Sequence, residues 1–87
     1  MVYRLSSDVK IVGEDQLVMM DVRQGKYYSC NRIAAMIVRG LARGEALEAI
    51  TQNVEMKFSQ TDSGIKADIL RFLEKLVLVK LCHVANY

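Results

Sequence analysis

The 87-residue chain has no proline, no tryptophan, one histidine and two cysteines, and no apolar run reaches the ~18 residues that a membrane-spanning helix needs. Each shortage excludes something. One histidine, with no serine elbow between glycines, no glycine-rich phosphate loop and no cysteine cluster, leaves nothing from which to assemble a hydrolytic, phosphoryl-transfer or nucleophilic site. Cys30 and Cys82 lie far apart with only His83 beside the second, too few ligands for a structural zinc site, so neither metal nor cofactor is expected. Both thiols are expected to be reduced, as in a reducing compartment. The amino-terminal residues Met-Val-Tyr-Arg-Leu-Ser-Ser-Asp lack the basic-then-apolar order of a secretory signal, and a cytoplasmic location is the default expectation. No proline-rich linker, repeat or low-complexity tract divides the chain, so residues 1–87 are expected to form a single domain.

What is present favours folding. Apolar residues make up 52% of the chain against 25% charged, well outside the polar, highly charged composition of disordered segments. A chain this short buries only ~60–70% of the surface its unfolded form exposes, so a partner should add materially to its stability. Twelve basic and ten acidic residues alternate along the chain for a net charge of +2, without the basic tract of a nucleic-acid footprint.

Two strand-like apolar runs flank a glycine turn and lead into a helix cap between Leu17 and Asn31. A first strand is expected at Val9-Lys10-Ile11-Val12, a turn at Gly13-Glu14-Asp15, a second strand from Gln16 to Val22, and a third from Lys26 to Cys30. Alternation puts Tyr28 and Cys30 on one face of the third strand and Tyr27 and Ser29 on the other. Gly25 suits a left-handed turn position and Asn31 a helix N-cap. Ile33, Met36, Ile37 and Leu41 fall at helical spacing from Arg32 to about Ala42, with Gly44 closing the helix. A second helix is expected from about Glu45 to Glu55, its stripe made by Leu47, Ile50 and Val54, and a break at Lys57-Phe58-Ser59-Gln60. A third begins near Thr61 to Ser63 and carries Ile65, Ile69, Phe72, Leu73 and Leu76 on one face. Leu78 to Val84 is apolar and β-prone and reads as a short closing strand or a tail. The fold class expected is α+β: a small winged helix-turn-helix-like domain, a three-stranded antiparallel sheet followed by three helices.

The ordered set Leu17 through Asp21, Gly25, Tyr27-Tyr28, Asn31, Gly44 before an acidic helix, and Asp68-Ile69, Phe72-Leu73 and Leu76 resembles the PqqD-like family. These are small domains that recognise the leader segments of ribosomally made peptides. Nearly the whole chain takes part, and its size and wording are most similar to the stand-alone recognition proteins of lasso peptide clusters. Two departures stand out: Cys30 occupies the usual leucine position before the asparagine, and Val79-Lys80 stands where a glycine-leucine pair often closes the last helix. The resemblance implies a non-catalytic protein that binds a precursor leader beside the third strand and against the third helix. It also implies a leader with tyrosine, proline and leucine anchors, passed to a separate leader peptidase, a cysteine protease, and then to a cyclase.

The peptide-binding residues expected from this mode are Lys26, Tyr27, Tyr28, Ser29 and Cys30 on the strand and Asp68, Ile69, Arg71, Phe72 and Lys75 on the helix. Plainer roles compete. Aromatic residues suit any half-buried strand, Ile69 and Phe72 belong to a stripe every amphipathic helix needs, and Asp68, Arg71 and Lys75 are spaced as neighbours on a wet helix face. The main alternative function is a winged-helix DNA binder built on the helix pair across Gly44. Glu45, Glu48 and Glu55 oppose it, because a recognition helix brings Arg or Lys to phosphates and bases. Nucleic acid and membrane are therefore not expected partners. A homodimer formed through an unprotected edge strand or by swapping is a further alternative.

Overall fold

The computed structural model describes residues 2–13, 16–58 and 63–85. Along the chain run β1 (Val2–Leu5), β2 (Val9–Val12), β3 (Leu17–Asp21), β4 (Lys26–Cys30), α1 (Arg32–Ala42), α2 (Leu47–Phe58), α3 (Ser63–Leu78) and β5 (Cys82–Ala85). The expected three-stranded antiparallel sheet and three helices are both present, the sheet in the order β2-β3-β4. β1 and β5 add a second, two-stranded antiparallel sheet in which Tyr3 pairs with Val84 and Leu5 with Cys82. Sequence pattern alone predicts no strand at Val2–Leu5, and Leu78 to Val84 reads as either a short strand or a tail. Each is a four-residue strand whose partner lies at the other end of the chain, so neither carries a local turn signal.

The β3–β4 hairpin is closed by Asp21. Its backbone carbonyl accepts from the Gly25 N–H at 2.8 Å, and its buried Oδ1 accepts from the amides of Arg23 and Gln24 at 3.1 and 3.2 Å. A buried carboxylate is tolerated here because two backbone donors satisfy it. Gly25 takes φ 67, the left-handed position expected of it. Leu17, Met19 and Asp21 of β3 are buried while Val18 and Met20 are half-buried, so the inner face carries the core and the outer face is only partly covered.

Asn31 caps α1, its side chain accepting from the Ala34 amide at 2.8 Å. Gly44, at φ 76, closes that helix: its N–H donates to Leu41 and the Glu45 N–H donates to Gly40, the paired bonds of a Schellman motif. α2 starts two residues later than expected and runs on through Lys57 and Phe58, where Arg32 lies 5.8 Å from the Phe58 ring centre. Ser59, Gln60, Thr61 and Asp62, together with Glu14 and Asp15 of the expected turn, lie outside the described residues. One apolar cluster, centred on Leu17, Ile37, Ile50, Val54, Ile69, Leu73 and Leu81, joins the sheets to all three helices.

Candidate functional site

β4 is an edge strand, and the ladder decides which of its backbone groups are free. The Val22 N–H donates to Asp8 at 2.9 Å, one step beyond the Val9–Asp21 pair. Antiparallel residues turn both N–H and C=O to the same side and alternate along the strand. Val22, Met20 and Val18 therefore bond toward β2, and Asp21, Met19 and Leu17 bond toward β4. Their partners Lys26, Tyr28 and Cys30 are consumed in the ladder, which leaves the N–H and C=O of Tyr27 and Ser29 aimed away from the sheet.

Beside this edge, two apolar hollows lie end to end. The upper, about 370 Å³, is lined by Ser29, Asn31, Ile33, Ala34, Ile37, Val54, Ile65, Asp68, Ile69 and Phe72. The lower, about 290 Å³, is lined by Met19, Tyr28, Ser29, Cys30, Phe72, Lys75, Leu76, Leu78, Val79 and Leu81. Ser29 and Phe72 border both, so β4 and α3 form the two walls of one groove with the Phe72 ring as its partition. The upper hollow has polar groups at its rim and the lower has almost none.

A larger hollow, about 520 Å³, lies between α1 and α2 and is lined by Met36, Arg39, Arg43, Glu45, Ile50, Asn53, Met56 and Lys57. Its volume reflects openness to solvent rather than enclosure, and no strand edge borders it. The groove beside β4 joins apolar cavities to unpaired backbone, which makes it the stronger candidate for an extended ligand.

The expected site residues divide accordingly. Tyr28, Ser29, Cys30, Asp68, Ile69, Phe72 and Lys75 line the groove. Lys26 and Tyr27 do not line it; with Met20, Val22 and Gly25 they border a small hollow of about 180 Å³ at the hairpin end. Tyr27 contributes its backbone to the free edge, but its side chain, 69% exposed, points to the outer face of the sheet. Arg71 is exposed and holds Asp68 in an ion pair at the groove mouth. Burial pushes the Cys30 thiol above its ordinary value of 9.0, which keeps it an uncharged lining group near neutral pH.

Several groove residues escaped the sequence reading. Ile33, on the first turn of α1, shares the helical spacing of Met36, Ile37 and Leu41 but stays 39% exposed over the upper hollow. Leu78 and Val79, 80% and 42% exposed, lie past the α3 stripe and border the lower one. For Leu78 and Val79 the available signal was apolar character beyond the α3 stripe; Ile33 carries none, because it falls in phase with the rest of the α1 stripe.

The family profile described as Coenzyme PQQ synthesis protein D (PqqD) matches residues 16–81, from the residue before β3 to the residue before β5. The chain belongs to the PqqD family. Among curated proteins, none matches it. Two solved structures share the fold of this PqqD-family protein over almost its whole length. "TbiB1 in Complex with the TbiA(beta) Leader Peptide" has a TM-score of 0.87 at 20% identity and covers 97% of this chain and 99% of that one. "Lasso peptide synthetase B1 complexed with the leader peptide" has a TM-score of 0.83 at 21% identity, covering 97% and 100%. At such identity the likeness establishes a common fold, and with it the placement of the edge strand against the last helix.

Proposed function

We propose that this protein binds the leader segment of a ribosomally synthesised precursor peptide, one destined to become a lasso peptide, as an added β-strand between β4 and α3. The observation that carries the reading is the free edge of Tyr27 and Ser29 opening onto two apolar hollows split by Phe72. Membership of the PqqD family and the two fold relatives, both named as leader-peptide complexes, support it.

The energetics are consistent with a working affinity. The two outward N–H and two outward C=O groups offer up to four backbone hydrogen bonds, each ~0.5–1.5 kcal/mol net. One apolar anchor in each hollow adds ~1.5–3 kcal/mol. Ordering the peptide costs ~2–5 kcal/mol, so the balance centres on about 5 kcal/mol and reaches the ~8 kcal/mol of a micromolar complex only when the bonds and anchors are near their upper values. Backbone pairing is blind to sequence, so the hollows supply the selectivity.

On this reading the protein performs binding rather than catalysis, acts in the cytoplasm, and hands the held leader to a separate cysteine peptidase and then to a cyclase. DNA binding is not favoured: α2 exposes Glu48 and holds only Lys57 in its last turn, a poor face for a phosphate backbone. Fluorescence anisotropy of a labelled synthetic leader, taken from the precursor gene nearest to this one, tests the proposal. Saturable binding that disappears when the leader's aromatic and leucine anchors are replaced by alanine is the expected result. A folded protein that leaves the labelled leader unbound at tens of micromolar would overturn it.

A further inference from the structure

Among the walls of the lower hollow, Met19, Leu76 and Leu81 are buried side chains of the core. Close-packed residues of that kind do not move aside for a ligand without cost. Leu78 and Val79, at the end of α3, are exposed and form a rim rather than a floor. Cys30 belongs to neither group. It is half-buried on the inner face of β4 with Tyr28, and its ladder pairing with the buried Leu17 fixes where its side chain starts. Of the apolar side chains that line the hollow it is the smallest, a thiol where the others are valine or larger. Because burial keeps that thiol uncharged, it offers a ligand space and a polarisable surface rather than charge.

We propose that Cys30 sets the size limit of the anchor that the lower hollow accepts, admitting an aromatic ring of the leader that a branched aliphatic side chain at position 30 would shut out. The inference rests on the leader-binding reading above and deepens it from a general apolar hollow to a ring-sized one. Two features select a ring. A cavity of ~150 Å³ with aliphatic and aromatic walls holds a benzene molecule, so a hollow of about 290 Å³ has room for a ring and the stem that carries it. Tyr28 and Phe72 also line the space, and aromatic side chains favour edge-to-face and offset contacts with a third ring. Leucine in place of Cys30 would add two carbons. The core behind is closed by Leu17, Leu76 and Leu81, so that bulk enters the hollow. In an apolar pocket a change of one methylene already shifts preference ~10–200-fold.

The test uses the full chain and the labelled leader described above. The leader position seated in the lower hollow is found first, by carrying a thiopyridyl-activated cysteine along the leader one position at a time. Cys82 is buried, so a mixed disulfide in the folded protein reports a leader residue lying against Cys30. Valine, phenylalanine and tryptophan are then placed at that position, and ratios of their dissociation constants are measured by anisotropy. A general loss of affinity lowers all three alike and leaves the ratios unmoved. The expected result is that the unsubstituted protein prefers phenylalanine to valine and that Cys30→Leu reduces this preference at least tenfold. Cys30→Ala, which opens the hollow and adds no bulk, should raise the preference for tryptophan over phenylalanine. An unchanged ratio in Cys30→Leu or, where that variant does not fold, in Cys30→Ala would overturn the proposal and leave leader binding standing. A leader that binds but traps Cys30 from no position would overturn it too, by putting the thiol beyond the anchor's reach. Failure of the unsubstituted protein to bind the natural leader removes the reading beneath the proposal, and is separately visible in the anisotropy before any substitution is made.

Discussion

Lys80 sits at φ 66, the left-handed position that Gly44 occupies at the end of α1. Its N–H donates to Val77 and the Leu81 N–H to Leu76, so α3 closes with the same pair of bonds that closes α1, but on a residue with a side chain. A left-handed conformation costs an L-residue ~1–2 kcal/mol, and glycine gives back ~0.5–1 kcal/mol through its freer unfolded chain. Lys80→Gly should therefore stabilise the protein by about 0.5–1 kcal/mol, read as a raised urea midpoint at unchanged slope. The departure from the family's glycine-leucine ending was legible in the sequence. That Lys80, the second residue of that pair rather than the first, takes the left-handed conformation a glycine would suit, instead of extending or breaking the helix, required the structure.

Contacts between elements make other substitutions costly in ways that propensity misjudges. A Cβ on Gly40 would stand 2.7 Å from Ile50 Cγ1 and 3.1 Å from Glu45 Oε1, at the crossing of α1 and α2. Helix propensity alone favours Gly40→Ala by ~1 kcal/mol, but overpacking against a side chain only 1% exposed costs ~1–3 kcal/mol. The variant should come out less stable by about 0.5–2 kcal/mol in the same denaturation experiment. At the sheet edge the argument runs the other way. The Ser29 N–H faces outward, so Ser29→Pro removes no ladder bond and the fold should survive. Leader affinity should fall at least tenfold, since a donor is lost and the ring intrudes on the incoming strand. A folded Ser29→Pro protein with undiminished affinity would rule out strand addition. Tyr28→Pro, which breaks a β3–β4 bond, should instead destabilise the sheet itself.

At the scale of the molecule, the groove joins elements that are each held from elsewhere: β4 by β3, α3 by the core and by β5. A ligand that ties the two walls together binds the native state alone, and so stabilises it by mass action. Leader at a hundredfold excess over its dissociation constant should add ~2.7 kcal/mol. For a domain of this size that corresponds to a rise in melting temperature of ~10–20 °C, measurable by calorimetry. The anchor-replaced leader at equal concentration should leave the melting temperature unchanged.

Local patterns in the chain were sufficient to determine β2 through β4, the Asn31 cap, the Gly44 stop and the amphipathic α3, because alternation, capping and left-handed glycines act over a few residues. Most of the groove's walls followed from the same patterns together with the ordered family motif. The tertiary structure decided the rest. β1 and β5 exist only because distant ends of the chain meet, and no short window records that closure. Face parity along β4 was readable from the sequence, but the phase of its hydrogen bonds depends on the β2–β3 register, which sets the Tyr27 and Ser29 backbone groups free. The α3 stripe does not distinguish Leu73, which is 0% exposed in the core, from Phe72, which stands between two cavities, because both satisfy the same periodicity. Only the position of the sheet relative to the helix separates a residue that packs from one left to meet a ligand.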